Sequence, residues 1–196
     1  MDLTKRLMQH LVYTNFEKLP ASAIKAVKHM ILDTSGVILA GSSAKGSNAI
    51  TQQIKSWSPS GKSTVLALGD RLTAPMAAWS NAFMGRAREL DDSHDLTGDH
   101  SGLPAVSAAL AVAEDLGNVT GKEIITAISL GVDLVARLRL ACDIKVGQIS
   151  WGAATFAPFS SAAVAGKLLQ LDEGKMRNAL GLAYSQLAGS LQAQLD

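Results

Sequence analysis

The 196-residue sequence predicts an all-α protein folded as a multi-helix bundle. Apolar residues recur at helical spacing along most of the chain, as at Val27 and Ile31. Helix-start signals separate the periodic segments, and the clearest is the capping box of Thr120 and Glu123. Strand-like, β-branched residues are concentrated in residues 64–68. Strand and helix therefore do not alternate, which argues against a parallel α/β sheet.

Eight segments carry the helical pattern, and several are bounded by a recognisable start or stop signal. Pro20 is tolerated in a first turn and opens the second helix, which Gly41 ends. Asp172 is placed to cap the last helix. A Ser-Pro-Ser-Gly turn at residues 58–61 precedes the short strand. The predicted helices span residues 3–13, 20–41, 48–57, 74–88, 104–116, 121–140, 156–169 and 173–187.

The helix after the capping box should be buried on most sides, because its polar residues form one narrow stripe. The stripe consists of Lys122, Thr126, Ser129, Asp133 and Arg137. Asp133 and Arg137 are four residues apart and are expected to pair. Leu134 and Val135 lie off the stripe and should be buried. In the preceding helix the expected inward positions are Val106, Ala109, Leu110, Ala113 and Leu116.

Composition and charge limit the classes of function. The chain is 47% hydrophobic and 18% charged, which is typical of a globular protein. A net charge of +1 gives no field for nucleic acid or an anionic membrane, and an aromatic content of 5% argues against base stacking. Cys142 is expected to be a buried hydrophobe in a reducing compartment, and His10 and His29 to lie on solvated helix faces. The absence of a signal-peptide pattern or a bilayer-spanning run leads us to expect a cytoplasmic protein without a membrane partner.

Residues 89–100 form a strongly polar segment between two apolar helices. Five acids and two histidines stand there with a serine: Glu89, Asp91, Asp92, Ser93, His94, Asp95, Asp99 and His100. A loop held between buried helices is where a scaffold presents reactive groups. The carboxylates are expected to fix the tautomer of His100. An equal alternative is that Asp91 and Asp92 hold loop amides at a helix end, and that His94 is simply exposed.

An ordered set of short motifs runs along the whole chain. It consists of Leu19-Pro20, residues 31–37 (Ile-Leu-Asp-Thr-Ser-Gly-Val), Ala40-Gly41, residues 89–93 (Glu-Leu-Asp-Asp-Ser), His100-Ser101-Gly102, Ala113-Glu114, residues 165–169 (Ala-Gly-Lys-Leu-Leu) and residues 179–183 (Ala-Leu-Gly-Leu-Ala). In this order the motifs resemble the N-terminal part of the MmgE/PrpD family. That family includes 2-methylcitrate dehydratase, cis-aconitate decarboxylase and iminodisuccinate epimerase.

The resemblance implies an all-helical domain over residues 1–196, a homodimer, and chemistry without a metal or an organic cofactor. Family reactions remove or deliver a proton next to a carboxylate. Matched motif by motif, the implied catalytic residues are His100, Glu89, Asp92 and Ser93. The implied substrate-binding residues are Asp91, Arg86 and Trp151. Arg86 and Trp151 stand where the family carries histidines, and Glu89 and Ser93 replace aspartate and threonine.

The resemblance also sets an expectation about the extent of the site. The family's smaller α+β lid, its site lysines and its tyrosine lie beyond the position that matches residue 196. We therefore expect a helical domain truncated at its C-terminal end, with a separate lid-bearing chain as a possible partner. The resulting hypothesis is a lyase or isomerase acting on a small di- or tricarboxylic acid, similar to 2-methylcitrate dehydratase.

Two other classes of function stay open. The first is a non-catalytic helical protein that only associates, which the truncation and Trp151 favour. Association is expected because the Ala-rich helix at residues 156–169 and the surface left without a lid would expose apolar area in a monomer. The second is a Mg²⁺-dependent diphosphate enzyme, because Asp91, Asp92 and Asp95 spell Asp-Asp-x-x-Asp. A second acidic motif is missing downstream and aromatic residues are scarce, so no metal site is predicted.

Overall fold

A computed structural model describes residues 2–58, 60–142 and 156–187, and within them the all-α prediction is confirmed. The helices are α1 (Leu3–Tyr13), α2 (Ala21–Gly41), α3 (Ser47–Trp57), α4 (Ala74–Arg86), α5 (Gly102–Leu116), α6 (Gly121–Ala141), α7 (Ala157–Leu168) and α8 (Glu173–Ser185). A 3₁₀ helix, Phe16–Lys18, lies between α1 and α2. In these ranges no helix combines the length and the apolar character that crossing a bilayer requires.

Side-chain caps start α6 and α8 where the sequence predicts them. Thr120 accepts a hydrogen bond from the Glu123 amide, and the Glu123 carboxylate accepts one from the Thr120 amide at 2.7 Å. The Asp172 carboxylate accepts a hydrogen bond from the Lys175 amide at 2.8 Å. Each cap satisfies amides that the first helical turn leaves unpaired.

The helices enclose three groups of buried apolar side chains. One group joins α2, α5, α6 and α7, and a second joins α2 to α3, α4 and α5. The third joins α1 to α6, α7 and α8. Leu134 and Val135 are each 1% exposed, as predicted. Full burial of one such side chain contributes roughly 1.5–3 kcal/mol, so these groups account for most of the favourable free energy of folding.

The packing of α4 against α5 fixes both ends of the acidic loop. Helix α4 ends at Arg86 and α5 begins at Gly102, so residues 87–101 connect the two helices. Met84 of α4 and Leu103 of α5 belong to the same buried group. Helix α7 supports the far end of the loop, because the Ser160 hydroxyl donates to the carbonyl of Ser101 at 3.2 Å.

The predicted strand at residues 64–68 is shorter than expected. Strand β1 (Ser63–Thr64) pairs antiparallel with β2 (Arg71–Leu72), and Ser63 lies opposite Leu72. The chain leaves β1 early because Ala67 and Gly69 adopt positive φ angles of 68° and 78°, which turn it back on itself. The segment is therefore a small hairpin and not a five-residue strand.

Two residues that were predicted to be buried are exposed, and both lie at helix ends. Leu116 is the last residue of α5 and is 38% exposed, because the chain turns away at Gly117. Cys142 was expected to be a buried helical residue, yet it is exposed. Helix α6 ends at Ala141, so Cys142 is its C-cap and projects from the end of the packed stretch. Helical periodicity does not show whether the last turn of a helix packs against a neighbouring element.

The Ala-rich helix is an internal element of the bundle. Helix α7 packs against α5, α6 and α8. Every residue from Ala157 to Leu168 is buried or half-buried. The predicted exposure of α7, one of two grounds for expecting association, is wrong. The prediction for Trp151 lies outside the described residues.

Candidate active site

The acidic loop leaves α4 through a tight turn at Glu89. The Glu89 amide donates to the carbonyl of Arg86 at 3.0 Å, and Glu89 has a positive φ of 55°, which is uncommon for a residue with a side chain. Its carboxylate lies 2.8 Å from Nη2 of Arg86 but is 74% exposed. Such an exposed ion pair is weak. Glu89 therefore occupies a position at the rim of the loop that another anion can take.

The carboxylate of Asp91 connects Arg86 to His100. Its Oδ1 accepts a hydrogen bond from Nη1 of Arg86 at 2.7 Å, and its Oδ2 lies 3.2 Å from Nδ1 of His100. The Asp91 side chain is 1% exposed, against 46% for Arg86 and 28% for His100. The contact with the imidazole is an ion-pair distance and not an aligned hydrogen bond. A carboxylate beside Nδ1 favours the tautomer with the proton on that atom, which leaves Nε2 of His100 as an acceptor.

Asp92 holds the start of α5. Its Oδ2 accepts a hydrogen bond from the Gly102 amide at 3.1 Å, and its Oδ1 accepts one from the Leu103 amide at 3.0 Å. Burial raises the pKa of Asp92, while the two amide hydrogen bonds oppose that shift. A Cβ at residue 102 would lie 2.5 Å from the carboxylate, so a larger residue there would displace the Asp92 side chain. The described contacts of Asp92 agree with the alternative in which it holds loop amides at a helix end.

Ser93 lies at the exposed edge of a cavity of about 380 Å³. The loop contributes most of the lining, and α2 and α6 contribute Met30 and Val132. Asp92 and Asp95 supply the two acidic side chains of the wall. The cavity is therefore lined by carboxylates, hydroxyls and an imidazole over an apolar base.

His94, Thr97 and Asp99 form a hydrogen-bonded turn that the sequence analysis did not identify. Nδ1 of His94 lies 2.9 Å from the Thr97 hydroxyl, which donates to Oδ2 of Asp99 at 2.5 Å. Gly98 has a φ of 63°, which allows the turn to close. The signal in the sequence was the spacing His-x-x-Thr-Gly-Asp, with glycine at the position that needs a positive φ.

The described carboxylates do not converge on a point where a metal could sit. Asp91 faces Arg86 and His100, whereas Asp92 faces two backbone amides. Within the described ranges, no group of three or more acidic, histidine or cysteine side chains is arranged to hold a metal ion. This arrangement gives no geometric support to a metal site at the Asp-Asp-x-x-Asp motif.

A larger cavity, of about 440 Å³, lies away from the acidic loop. It is bordered by the 3₁₀ helix, the start of α6 and the end of α7, and includes Lys167. Burial lowers the pKa of Lys167, and neighbouring Lys18 lowers it further. The Lys167 ammonium donates to the carbonyls of Val12 and Thr14, at 2.7 and 2.6 Å. This lysine is therefore occupied in joining α7 to the end of α1.

Comparison with known proteins gives one consistent assignment. The family described as MmgE/PrpD N-terminal domain matches residues 5–196. Over 185 residues the chain is 32% identical to cis-aconitate decarboxylase of Aspergillus terreus, which covers 91% of this chain and 38% of that protein. Over 205 residues it is 28% identical to the cis-aconitate decarboxylase-like protein oryM of Aspergillus oryzae, with 100% and 42% covered.

A mammalian relative shows the same pattern of coverage. Over 169 residues the chain is 30% identical to cis-aconitate decarboxylase of Mus musculus, covering 83% of this chain and 34% of the mouse protein. The chain thus spans about two fifths or less of the length of the curated relatives it matches.

Proposed function

Because the chain belongs to the MmgE/PrpD family, we propose that it forms the helical part of a lyase acting on a small di- or tricarboxylic acid. The relatives described above are named for cis-aconitate, which is therefore the first substrate to test. 2-Methylcitrate, which the motifs also suggest, is the second. The reaction would use side-chain proton transfer next to a carboxylate.

The arrangement of Arg86, Asp91 and His100 is the observation that carries this proposal. The buried Asp91 carboxylate orients the imidazole, and Arg86 holds the carboxylate from its other side. An imidazole held in this way accepts a proton at Nε2 when it is neutral and donates that proton when it is an imidazolium, and such transfer typically contributes 10²–10⁴-fold in rate. In a decarboxylation, the bond to the departing CO₂ breaks, and its electron pair takes the Nε2 proton of the His100 imidazolium, which becomes neutral.

Arg86 supports the choice of a carboxylic acid as the substrate. Nη1 of its guanidinium is fixed by buried Asp91, while Nη2 is paired with the exposed carboxylate of Glu89. A substrate carboxylate can replace Glu89 at Nη2, because guanidinium groups form strong charged hydrogen bonds with carboxylates. The loop then brings the bound acid next to His100.

Ligand binding to the 196-residue chain is the first test. Cis-aconitate and 2-methylcitrate are titrated while the backbone amide signals of residues 86–103 are followed by NMR. We expect saturable shifts that weaken in Arg86→Lys, because a lysine lacks the planar pair of nitrogens that can hold Asp91 and a substrate carboxylate at the same time. The control Arg88→Lys should bind normally, since the Arg88 side chain contacts Ala40 and Ser43 outside the loop. Equal binding by both variants would contradict the role of Arg86.

Turnover is the second test, measured on this chain combined with the lid-bearing chain that the family resemblance implies. His100→Ala should lower kcat by roughly a hundredfold or more with little change in KM, because it removes the proton-transferring group and not the carboxylate site. His29→Ala, at an exposed position on α2, serves as the control. Turnover that survives His100→Ala unchanged would overturn the proposal.

We also propose that the chain assembles as a homodimer. The side chains of Trp57 and Trp79 stack with ring centroids 5.7 Å apart, although they are 57% and 43% exposed. Exposed aromatic pairs are enriched where proteins associate. Light scattering should give twice the 20.5 kDa chain mass, and Trp57→Ser should shift it toward the monomer. Tyr184→Ser, at another exposed aromatic, is the control.

A further inference from the structure

The turn that contains His94 is closed by its own backbone. The His94 amide donates to the carbonyl of Asp99 at 2.9 Å, and the Gly98 amide donates to the carbonyl of His94 at 2.7 Å. Arg139 of α6 anchors the turn from outside, since its Nη2 donates to the Thr97 carbonyl at 3.1 Å. The side chains of the turn are therefore held in fixed relative positions.

The hydrogen bonds of this turn determine which nitrogen of His94 carries the proton. The Thr97 hydroxyl has a single hydrogen, and it donates that hydrogen to Oδ2 of Asp99. Toward His94, Thr97 can then act only as an acceptor, so the contact of 2.9 Å requires a proton on Nδ1 of the ring. The neutral imidazole is left with Nε2 as a bare acceptor.

Asp99 supplies the negative charge behind this arrangement. It is 2% exposed, and its Oδ1 has no hydrogen-bond partner among the described residues. A buried carboxylate with an unused oxygen can compensate positive charge that appears on a neighbouring group. When Nε2 of His94 accepts a proton, the imidazolium lies one hydroxyl away from that carboxylate.

His94 lines the cavity of about 380 Å³ beside Ser93. Because Nδ1 is turned toward Thr97, Nε2 is the nitrogen available to an occupant. The charged groups facing this space are Asp92 and Asp95. They disfavour a second carboxylate there, so the part of a ligand that enters is its uncharged carbon skeleton.

We propose that His94 is a second proton acceptor of the site, and that Thr97 and Asp99 are its positioning residues. The identity of the substrate rests on the proposed function, whereas the state of the imidazole does not. In the step, a C–H bond next to a substrate carboxylate breaks and an N–H bond forms at Nε2. The electron pair of the C–H bond passes into the adjacent carboxylate system. Carboxylates of the same substrate bind at Arg86, outside this cavity.

Long-range ¹⁵N–¹H NMR of the imidazoles tests the tautomer directly. His94 should show the Nδ1-protonated form in the unmodified chain, with His29 as an exposed reference histidine. Thr97→Val removes the acceptor and should move His94 to the mixture shown by His29, while Thr97→Ser should restore the single tautomer. A His94 protonated on Nε2, or one that ignores Thr97→Val, overturns the assignment.

Acylation with diethyl pyrocarbonate tests whether Nε2 reacts as a base. Asp99→Asn should slow the acylation of His94 by roughly tenfold without changing the rate at His29. Circular dichroism and the ¹⁵N–¹H amide spectrum confirm that each variant is folded. Unchanged acylation of His94 in a folded Asp99→Asn chain overturns the role of Asp99.

Turnover separates this inference from the proposed function. Thr97→Val should lower kcat at least roughly tenfold at constant KM, and Thr97→Ser should recover it. If neither cis-aconitate nor 2-methylcitrate binds, yet the tautomer and acylation results hold, the proposed function fails and the assignment of His94 stands. If turnover occurs and Thr97→Val leaves kcat unchanged, the assignment of His94 fails and the proposed function stands.

Discussion

The same three residue types meet at two places in the described structure. In the acidic loop, Asp91 lies between Arg86 and His100, at 2.7 and 3.2 Å. Between helices α1 and α6, Asp133 lies between Arg137 and His10, at 2.7 and 3.0 Å. Distances alone do not distinguish these two clusters, which we call the loop trio and the helix trio.

Burial of the central carboxylate separates them. The Asp91 side chain is 1% exposed, and that of Asp133 is 37% exposed. An ion pair in contact with water contributes about 0–1 kcal/mol, because solvent screens it and competes for its partners. A carboxylate withdrawn from water keeps its partners and can orient an imidazole.

The two trios also differ in what holds their surroundings together. Beside the helix trio, Met8 and Leu11 of α1 pack with Leu134 in a buried group. In the acidic loop, Leu90 and Leu96 are 59% and 79% exposed. The loop is held by polar contacts and the helices by apolar ones. An Arg-Asp-His cluster therefore indicates a functional site only where polar contacts, and not apolar packing, hold the surrounding backbone in place.

The largest effect should come from the packing beside the helix trio. Leu134→Ala removes a fully buried side chain that joins α6 to α1, and should lower the free energy of unfolding by roughly 2–5 kcal/mol. Urea denaturation at constant pH measures it. Leu140→Ala, on the same helix but 62% exposed, is the control and should stay within about 0.5 kcal/mol. A small effect of Leu134→Ala would mean that polar contacts dock α1.

A smaller loss is expected from the centre of the loop trio. Asp91→Ala removes a buried carboxylate that accepts a hydrogen bond from Arg86 and lies beside His100, and should cost about 2 kcal/mol of unfolding free energy. It should also abolish any turnover that depends on His100. If Asp91→Ala and Asp133→Ala destabilise equally in the same denaturation experiment, burial is not what separates the trios.

The anchor of the loop at α5 should show a pH dependence. Burial raises the pKa of Asp92 above its ordinary 3.8, so the folded chain binds this proton more readily than the unfolded chain. This contribution to stability is present at low pH and is lost as the pH rises from 3.8 through the raised pKa. Asp92→Asn should remove that dependence from denaturation curves measured at several pH values. At pH values above the raised pKa of Asp92, Asp92→Asn should lower the free energy of unfolding by about 1 kcal/mol, because an amide has only one oxygen for the two backbone donors.

The smallest effect is expected at the centre of the helix trio. Asp133→Asn should reduce the free energy of unfolding by less than about 1 kcal/mol. Since both partners are reached by solvent, roughly 1 M salt should erase the difference from the unchanged chain. A loss that persists in salt would show that the helix trio is effectively buried.

The helices could be predicted from the sequence because their signals are local. The capping box of Thr120 and Glu123 lies within one turn, and the burial of Leu134 follows from the position of a polar stripe on the same helix. Helix ends were less predictable. At Cys142, no feature of the sequence shows whether a neighbouring element covers the end of α6.

The roles of the loop side chains could be predicted only as alternatives. The acidic segment identifies the loop, but the partners of Asp91 and Asp92 depend on how α4 and α5 pack. The turn of His94 depends on a positive φ at Gly98, which a glycine permits without requiring it. The helix trio joins residues 123 positions apart, beyond the reach of any local pattern.

That separation has a consequence for biosynthesis. Helix α1 leaves the ribosome before its described partners in α6, α7 and α8. Translation at about 5–20 residues per second takes roughly 6–25 s to add the 123 residues between His10 and Asp133. Throughout that time Met8 and Leu11 lack the apolar partners with which they form a buried group. Helix α1 is therefore an amphipathic segment that a chaperone can hold until the helices that cover it have been translated.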